Sequence, residues 1–183
     1  MQNGKRERNP TPVLSFLFSE KEFKGVDDAL KVIHKVKEKI PSLHVIAFGQ
    51  KAPNKIILPD YIELHIDPAQ STIRDIYSKS DIWLCCSLSE GFGLTLLEAM
   101  ACRTPVVSTK CGGPEDIIID GYNGYLCEIS QIDELAKRVI EILTDAPTKW
   151  LSFSDNAFQH AKSYNWDIAT SNFEAAIESV IRG

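Results

Sequence analysis

The chain has 183 residues, 44% hydrophobic and 25% charged, with a formal net charge of −5. That length and apolar content fit one soluble domain with a real core, and no run approaches the ~18 apolar residues that span a bilayer. The acidic balance and dispersed basic residues argue against a nucleic-acid-binding surface, and five cysteines without paired metal-ligand spacing are expected to be free thiols of a cytoplasmic protein.

In chain order, residues 1–12 (MQNGKRERNPTP) are a polar lead-in without an apolar signal region. Residues 13–18 (VLSFLF) read as a strand, and residues 26–39 as a helix whose Val26, Ala29, Leu30, Ile33 and Val36 recur at helical spacing until Pro41 stops it. Strands follow at residues 43–48 (LHVIAF) and 61–66, then a polar helix near residues 71–80 with Ile73, Ile76 and Tyr77 on one face. Residues 82–86 (IWLCC) are apolar throughout, as expected of a parallel strand buried on both faces. A Gly91-Phe92-Gly93 turn, a helix near residues 94–101, a strand at 105–108, a short helix opened by residues 112–114 and a strand at 125–127 complete the alternation. The tail reads as three helices, near residues 132–143, 149–163 and 166–181. Strand–helix alternation of this kind predicts an α/β fold, a doubly wound parallel sheet of about six strands with helices on both faces. Such sheets bind ligands beyond the carboxyl ends of their strands, which directs attention to the loops at residues 19–25, 87–93 and 109–114.

Each of those loops has chemistry. Two glycines at a strand-to-helix turn let backbone approach a ligand closely, and the helix start offers unpaired N–H groups, a generic anion site. On a helical wheel Leu94, Leu97, Glu98 and Ala101 fall on one side, so Glu98 is expected next to the apolar face. Dipole compensation explains an acid in a first turn; a carboxylate accepting two hydroxyls of a ribose also explains its position among packing residues. Glu90 reads as a solvated loop acid or as a group beside a sugar. Lys24, before Gly25, reads as a solvated lysine or a phosphate partner. Gly112-Gly113 is a second tight turn at a helix start, with Pro114 expected at the first helical position and Glu115 compensating the dipole.

Ser89-Glu90-Gly91-Phe92-Gly93-Leu94, followed by Glu98-Ala99-Met100-Ala101, resembles the E-x7-E signature of retaining GT-B glycosyltransferases of the family-4 or group 1 type. Lys24-Gly25-Val26-Asp27, Phe48-Gly49, Tyr77 to Asp81 (YSKSD), Pro105-Val106-Val107, Gly112-Gly113 and Asp120 to Leu126 match in order, so the resemblance covers roughly residues 13 to 181. It implies a Rossmann-like domain at residues 13–183, the C-terminal, donor-binding half of a GT-B fold, with the N-terminal acceptor domain absent. By that resemblance Glu98 holds the ribose hydroxyls, Glu90 and the residues Gly91, Phe92, Gly93, Leu94 and Thr95 contact the transferred sugar and diphosphate, and Lys24 pairs with the diphosphate. The nucleobase is expected near Gly49 and Ile66. One departure stands out: where the family often has an arginine five or six residues before the lysine, this chain has Phe18 and Ser19, and Lys21 is a candidate substitute.

The implied reaction is metal-independent transfer of a sugar from a nucleotide-sugar, such as a UDP- or GDP-sugar, to an acceptor hydroxyl with retention, in polysaccharide or glycoconjugate biosynthesis. No cofactor is expected. The catalytic pair is Glu90 and Lys24. The implied partners are the nucleotide-sugar donor and the missing N-terminal domain with its acceptor, through which any peripheral membrane contact would run. The final helices, whose apolar side would face that domain, are expected to allow weak self-association, and the isolated domain is expected to be nearly inactive. Two other readings share these residues: another GT-B-type enzyme, such as a nucleotide-sugar epimerase or inverting transferase, or a non-catalytic nucleotide- or partner-binding domain.

Overall fold

A computed structural model describes residues 7–182. Six strands form one parallel sheet: β1 (Val13–Leu17), β2 (His44–Gly49), β3 (Ile62–Ile66), β4 (Ile82–Cys85), β5 (Val106–Thr109) and β6 (Gly124–Cys127). Their spatial order is β3-β2-β1-β4-β5-β6, so the winding direction reverses between β1 and β4. The helices are α1 (Val26–Lys39), α2 (Gln70–Lys79), α3 (Leu94–Ala101), α4 (Gly113–Ile117), α5 (Ile132–Thr144), α6 (Pro147–Ala161) and α7 (Trp166–Arg182). Strand and helix positions agree with the sequence reading to within about two residues. The sixth helix starts earlier than expected because Pro147, with its φ already helical and no N–H to lose, opens the first turn.

The strands alternate cleanly between two cores. Leu14, Phe16, Val45, Ala47, Ile82, Leu84, Val107 and Tyr125 point toward α1 and α5, with Trp150 and Phe153 of α6 closing that side. Ile46, Phe48, Trp83, Cys85 and Val106 point the other way, toward α2, α3, α4 and the far end of α6. Burial on both faces is why these strands carry continuous apolar runs. At about 20–30 cal/mol per Å² of apolar surface, burial of this kind is the main stabilising contribution.

The amino end of the sheet is tied by Asp81, which is fully buried. Its carboxylate accepts the backbone N–H groups of Asn9 (2.9 Å) and Val13 (2.8 Å) and the Asn9 amide (2.9 Å), while its backbone carbonyl accepts Trp150 Nε1–H at 2.9 Å. The described part of the polar lead-in is therefore docked across the start of β1 and β4; residues 1–6 lie outside the described residues.

Candidate functional site

The reversal of winding brings the loops after β1 and β4 side by side at the carboxyl edge of the sheet, the position where such folds leave a crevice. The β1 loop ends in a short 3-10 turn (Glu22–Lys24) and Gly25, which adopts the left-handed φ of 62°. A Cβ on Gly25 would lie 1.8 Å from the Cys86 carbonyl oxygen, so this turn presses directly on the end of β4. Leu88 N–H donates to the Phe23 carbonyl at 2.8 Å, and Lys24 Nζ lies 2.6 Å from Glu90 Oε2. On the other flank, Glu90 N–H donates to the Cys111 carbonyl, and Gly113 N–H donates to the Glu90 carbonyl, both at 2.8 Å. The Thr109 hydroxyl also donates to the Ser87 carbonyl. Glu90 is thus held by its backbone from the β5 side and by its side chain from the β1 side.

Lys24 and Glu90 therefore stand together, with side chains 20% and 18% exposed. Beside them Gly93, at φ 88°, caps α3 without a side-chain cap, so the first-turn amides have no capping side chain as a partner. Gly91 is exposed, and a Cβ there would meet nothing within 4 Å. Protein packing does not explain a glycine at that point. Phe92 is exposed and approaches Tyr164 edge-on at 6.3 Å. Thr95 lines a narrow recess with Lys24 and Glu90.

Glu98 departs from the wheel reading. Leu94, Glu98 and Ala101 form the exposed face of α3, Leu94 being 62% exposed, while Leu96, Leu97, Ala99 and Met100 pack inward. Its carboxylate is not buried among leucines. Instead Oε2 accepts the Tyr77 hydroxyl at 3.0 Å. The sequence reading placed Tyr77 on the apolar face of α2 without a partner; a buried tyrosine hydroxyl needs one, and that was the signal available. Gly112-Gly113 also differs in detail: Pro114 is the second residue of α4, and Glu115 Oε1 reaches back 3.2 Å to the Gly112 N–H as a cap as well as a dipole partner.

A cavity of about 750 Å³ opens beyond the ends of β1, β2 and β3. Lys24 and Gly49 line it; Ile66, paired with Gly49 and 43% exposed, ends β3 just before the wall passes through Asp67 and Pro68. Sequence reasoning missed its other wall. Glu20 Oε1 accepts three backbone N–H groups, from Asn54 (2.8 Å), Lys55 (2.6 Å) and Ile56 (2.9 Å), which hold its pKa below the ordinary carboxylate value. That clamp sets the loop after β2 so that Lys51 and Lys55 join Lys21 and Lys24 around the opening. The cavity is rimmed by four lysines in a chain of net negative charge, an arrangement that attracts anions.

Among the described residues no group of three or more histidines, cysteines, aspartates or glutamates could hold a metal ion, and no helix is long and apolar enough to cross a membrane. All five cysteines are free, with Cys85, Cys86 and Cys127 buried. Burial pushes the Cys86 thiol well above its ordinary pKa, and those of Cys111 and Cys127 up to about 11.

Comparison with known proteins gives a consistent result. N-acetyl-alpha-D-glucosaminyl L-malate synthase of Bacillus anthracis is 30% identical over 139 residues, covering 73% of this chain and 36% of the synthase. The fold matches the pneumococcal O-GlcNAc transferase GtfA, solved in complex with UDP and GlcNAc, at a TM-score of 0.78 and 22% identity, over 97% of this chain and 37% of that one. It also matches the C-terminal domain of a group 1 glycosyl transferase (LpcC) from Francisella tularensis, at a TM-score of 0.71 and 23% identity, over 83% of this chain and 85% of that domain. This chain thus spans about a third of the length of the synthase and of GtfA. The family of glycosyl transferases group 1 matches residues 3–160, and the chain belongs to that family.

Proposed function

We propose that residues 13–183 are the donor-binding domain of a glycosyltransferase that moves a sugar from a UDP- or GDP-sugar to an acceptor hydroxyl with retention. A facing Rossmann-like domain supplies the acceptor. The observation that carries this reading is the meeting of Lys24, Glu90 and the α3 N-terminus at the switch point of the sheet, beside open space over Gly91.

In this reading the diphosphate lies against Lys24 and the first-turn amides of α3. These stabilise the charge that develops as the bond between the sugar C1 and the phosphate oxygen breaks, so that no divalent cation is required. The electron pair of that bond stays on the departing phosphate oxygen. This oxygen takes the proton of the acceptor hydroxyl as the acceptor oxygen bonds to C1 on the same face. Glu90 orients the hydroxyls of the sugar being moved, Glu98 takes the ribose hydroxyls, and the base lies toward Gly49 and Ile66. Lys21, on the cavity rim beside Lys24, supplies the second cation for the diphosphate.

Calorimetric titration with UDP and GDP tests the site. Glu98→Ala is expected to weaken the better-bound nucleotide by about tenfold or more, the loss of charge-assisted hydrogen bonds of ~1.5–3 kcal/mol. Absence of binding at millimolar concentration, or an unchanged affinity in the variant, would sink the ribose assignment. Gly91→Ala isolates ligand space from folding. The melting temperature should stay within about 2 °C of the parent, because the new methyl meets no protein atom within 4 Å, while nucleotide-sugar binding falls by about tenfold. Normal binding by this variant would put the ligand elsewhere.

A further inference from the structure

Tyr77 lies near the end of α2 and is 1% exposed. Its ring packs edge-on against Phe48 of β2, with centroids 5.7 Å apart, and against Trp83 of β4 at 4.9 Å. Its backbone carbonyl accepts the Thr104 hydroxyl at 2.6 Å. These contacts leave the ring one orientation, so its hydroxyl emerges from the core at a single point, 3.0 Å from Glu98 Oε2. Burial, with the neighbouring carboxylate, pushes that hydroxyl far above the ordinary tyrosine pKa, so it remains a proton donor. Glu98 stands on the exposed face of α3, where an unrestrained glutamate samples many rotamers and loses that freedom on binding a ligand. One hydrogen bond from Tyr77 engages a single lone pair of a carboxylate that has about four, which leaves Oε1 and part of Oε2 to accept further donors.

The geometry points to Tyr77 as a positioning residue: its core-anchored hydroxyl presets the Glu98 carboxylate to accept a vicinal diol, and so makes the donor site prefer ribose over 2′-deoxyribose. This rests on the reading above, in which Glu98 takes the ribose hydroxyls. Tyr77→Phe keeps the ring and its packing. A tyrosine that served packing alone would therefore lose nothing in nucleotide recognition when its hydroxyl is removed.

The test is titration of the purified 183-residue chain with UDP, GDP and their 2′-deoxy counterparts. It compares the parent with Tyr77→Phe, Glu98→Gln and the double variant, and follows thermal melting in parallel. The parent is expected to bind the ribose form about tenfold more tightly than the deoxy form. Tyr77→Phe is expected to lose about five- to tenfold in affinity for the ribose form, with the deoxy form changed less than about twofold and melting within a few degrees of the parent. In the Glu98→Gln background Tyr77→Phe should cost nothing more, since coupled residues are non-additive. If Glu98→Gln loses ribose preference and Tyr77→Phe keeps it, the positioning role is overturned. If neither variant changes the preference, the ribose reading itself fails. Glu98→Asp covers the case in which Tyr77→Phe folds poorly: it keeps the charge but is one methylene too short to reach both hydroxyl and ligand. It should collapse the ribose-to-deoxyribose ratio, and retention of the ratio overturns the inference.

Discussion

Glu90→Gln is expected to tighten the binding of a free nucleoside diphosphate by about three- to tenfold, whereas Lys24→Gln weakens it by about tenfold or more. The opposite signs follow from the ion pair at the switch point. Lys24 Nζ is held 2.6 Å from Glu90 Oε2, and both side chains are largely shielded from solvent. An incoming diphosphate must compete with that carboxylate for the lysine. Neutralising Glu90 removes the competitor and a repulsive charge; neutralising Lys24 removes the attraction and leaves Glu90 facing the phosphates. With an intact nucleotide-sugar the gain in Glu90→Gln should shrink, because the proposed contact of Glu90 with the sugar would be lost at the same time. Transfer by an enzyme that contains this domain should fall by ~10²–10³-fold in Lys24→Gln, the scale of removing one donor to a developing negative charge. Calorimetry at low and moderate salt is the check, since the difference between the two variants should narrow as ions screen the site. Changes of the same sign in both variants would show that the pair does not compete with the ligand.

Gly25→Ala is expected to be the most destabilising single-methyl change at the site, lowering stability by about 3–5 kcal/mol and the melting temperature by about 10 °C. Two independent effects add. The residue sits at φ 62°, where a side chain is strained, and its Cβ would be driven into the Cys86 carbonyl oxygen at 1.8 Å, a rigid backbone atom at the end of β4. The turn would have to lift, carrying Lys24 and the start of α1 with it, so nucleotide binding should fall together with stability. Gly121→Ala is the matched control. Gly121 has φ 74°, but a Cβ there would meet nothing within 4 Å, so only the backbone strain remains, about 1 kcal/mol. Urea midpoints of the two variants separate the terms. Equal destabilisation would show that the β1–β4 approach is looser than 1.8 Å implies.

How much of this was legible in the sequence depended on the range of the interactions. The strands were readable because burial on both faces leaves an apolar run that local composition reveals. Their spatial order was not, and with it went the most informative contact: Lys24 and Glu90 are 66 positions apart and meet only because β1 and β4 are neighbours. The third helix shows a different limit. LTLLEAMA is apolar on nearly every side, so a wheel cannot say which side packs; the neighbouring strands and α6 decided it, and left Leu94 outside. Tyr77 was correctly placed on a buried face, but its hydroxyl acts through a residue 21 positions away. Glu20 looked like any loop acid, since the three amides it gathers lie 34 to 36 positions further on. Local pattern carried the elements and the glycine turns; long-range polar partners had to wait for the fold.

Three of the thiols have a use that has nothing to do with sugar chemistry. Cys86, just after β4, carries the carbonyl on which Gly25 rests, Cys127 closes β6, and Cys111 carries the carbonyl that holds the Glu90 N–H. Alkylating reagents attack the thiolate, and desolvation keeps these three groups protonated at neutral pH. Labelling of the buried Cys86 and Cys127 therefore has to wait for the loops to lift, so that each modification there records one excursion from the closed arrangement, while the half-buried Cys111 serves as a faster reference. The domain carries its own clock for the breathing of the carboxyl edge of its sheet, readable by mass spectrometry after alkylation.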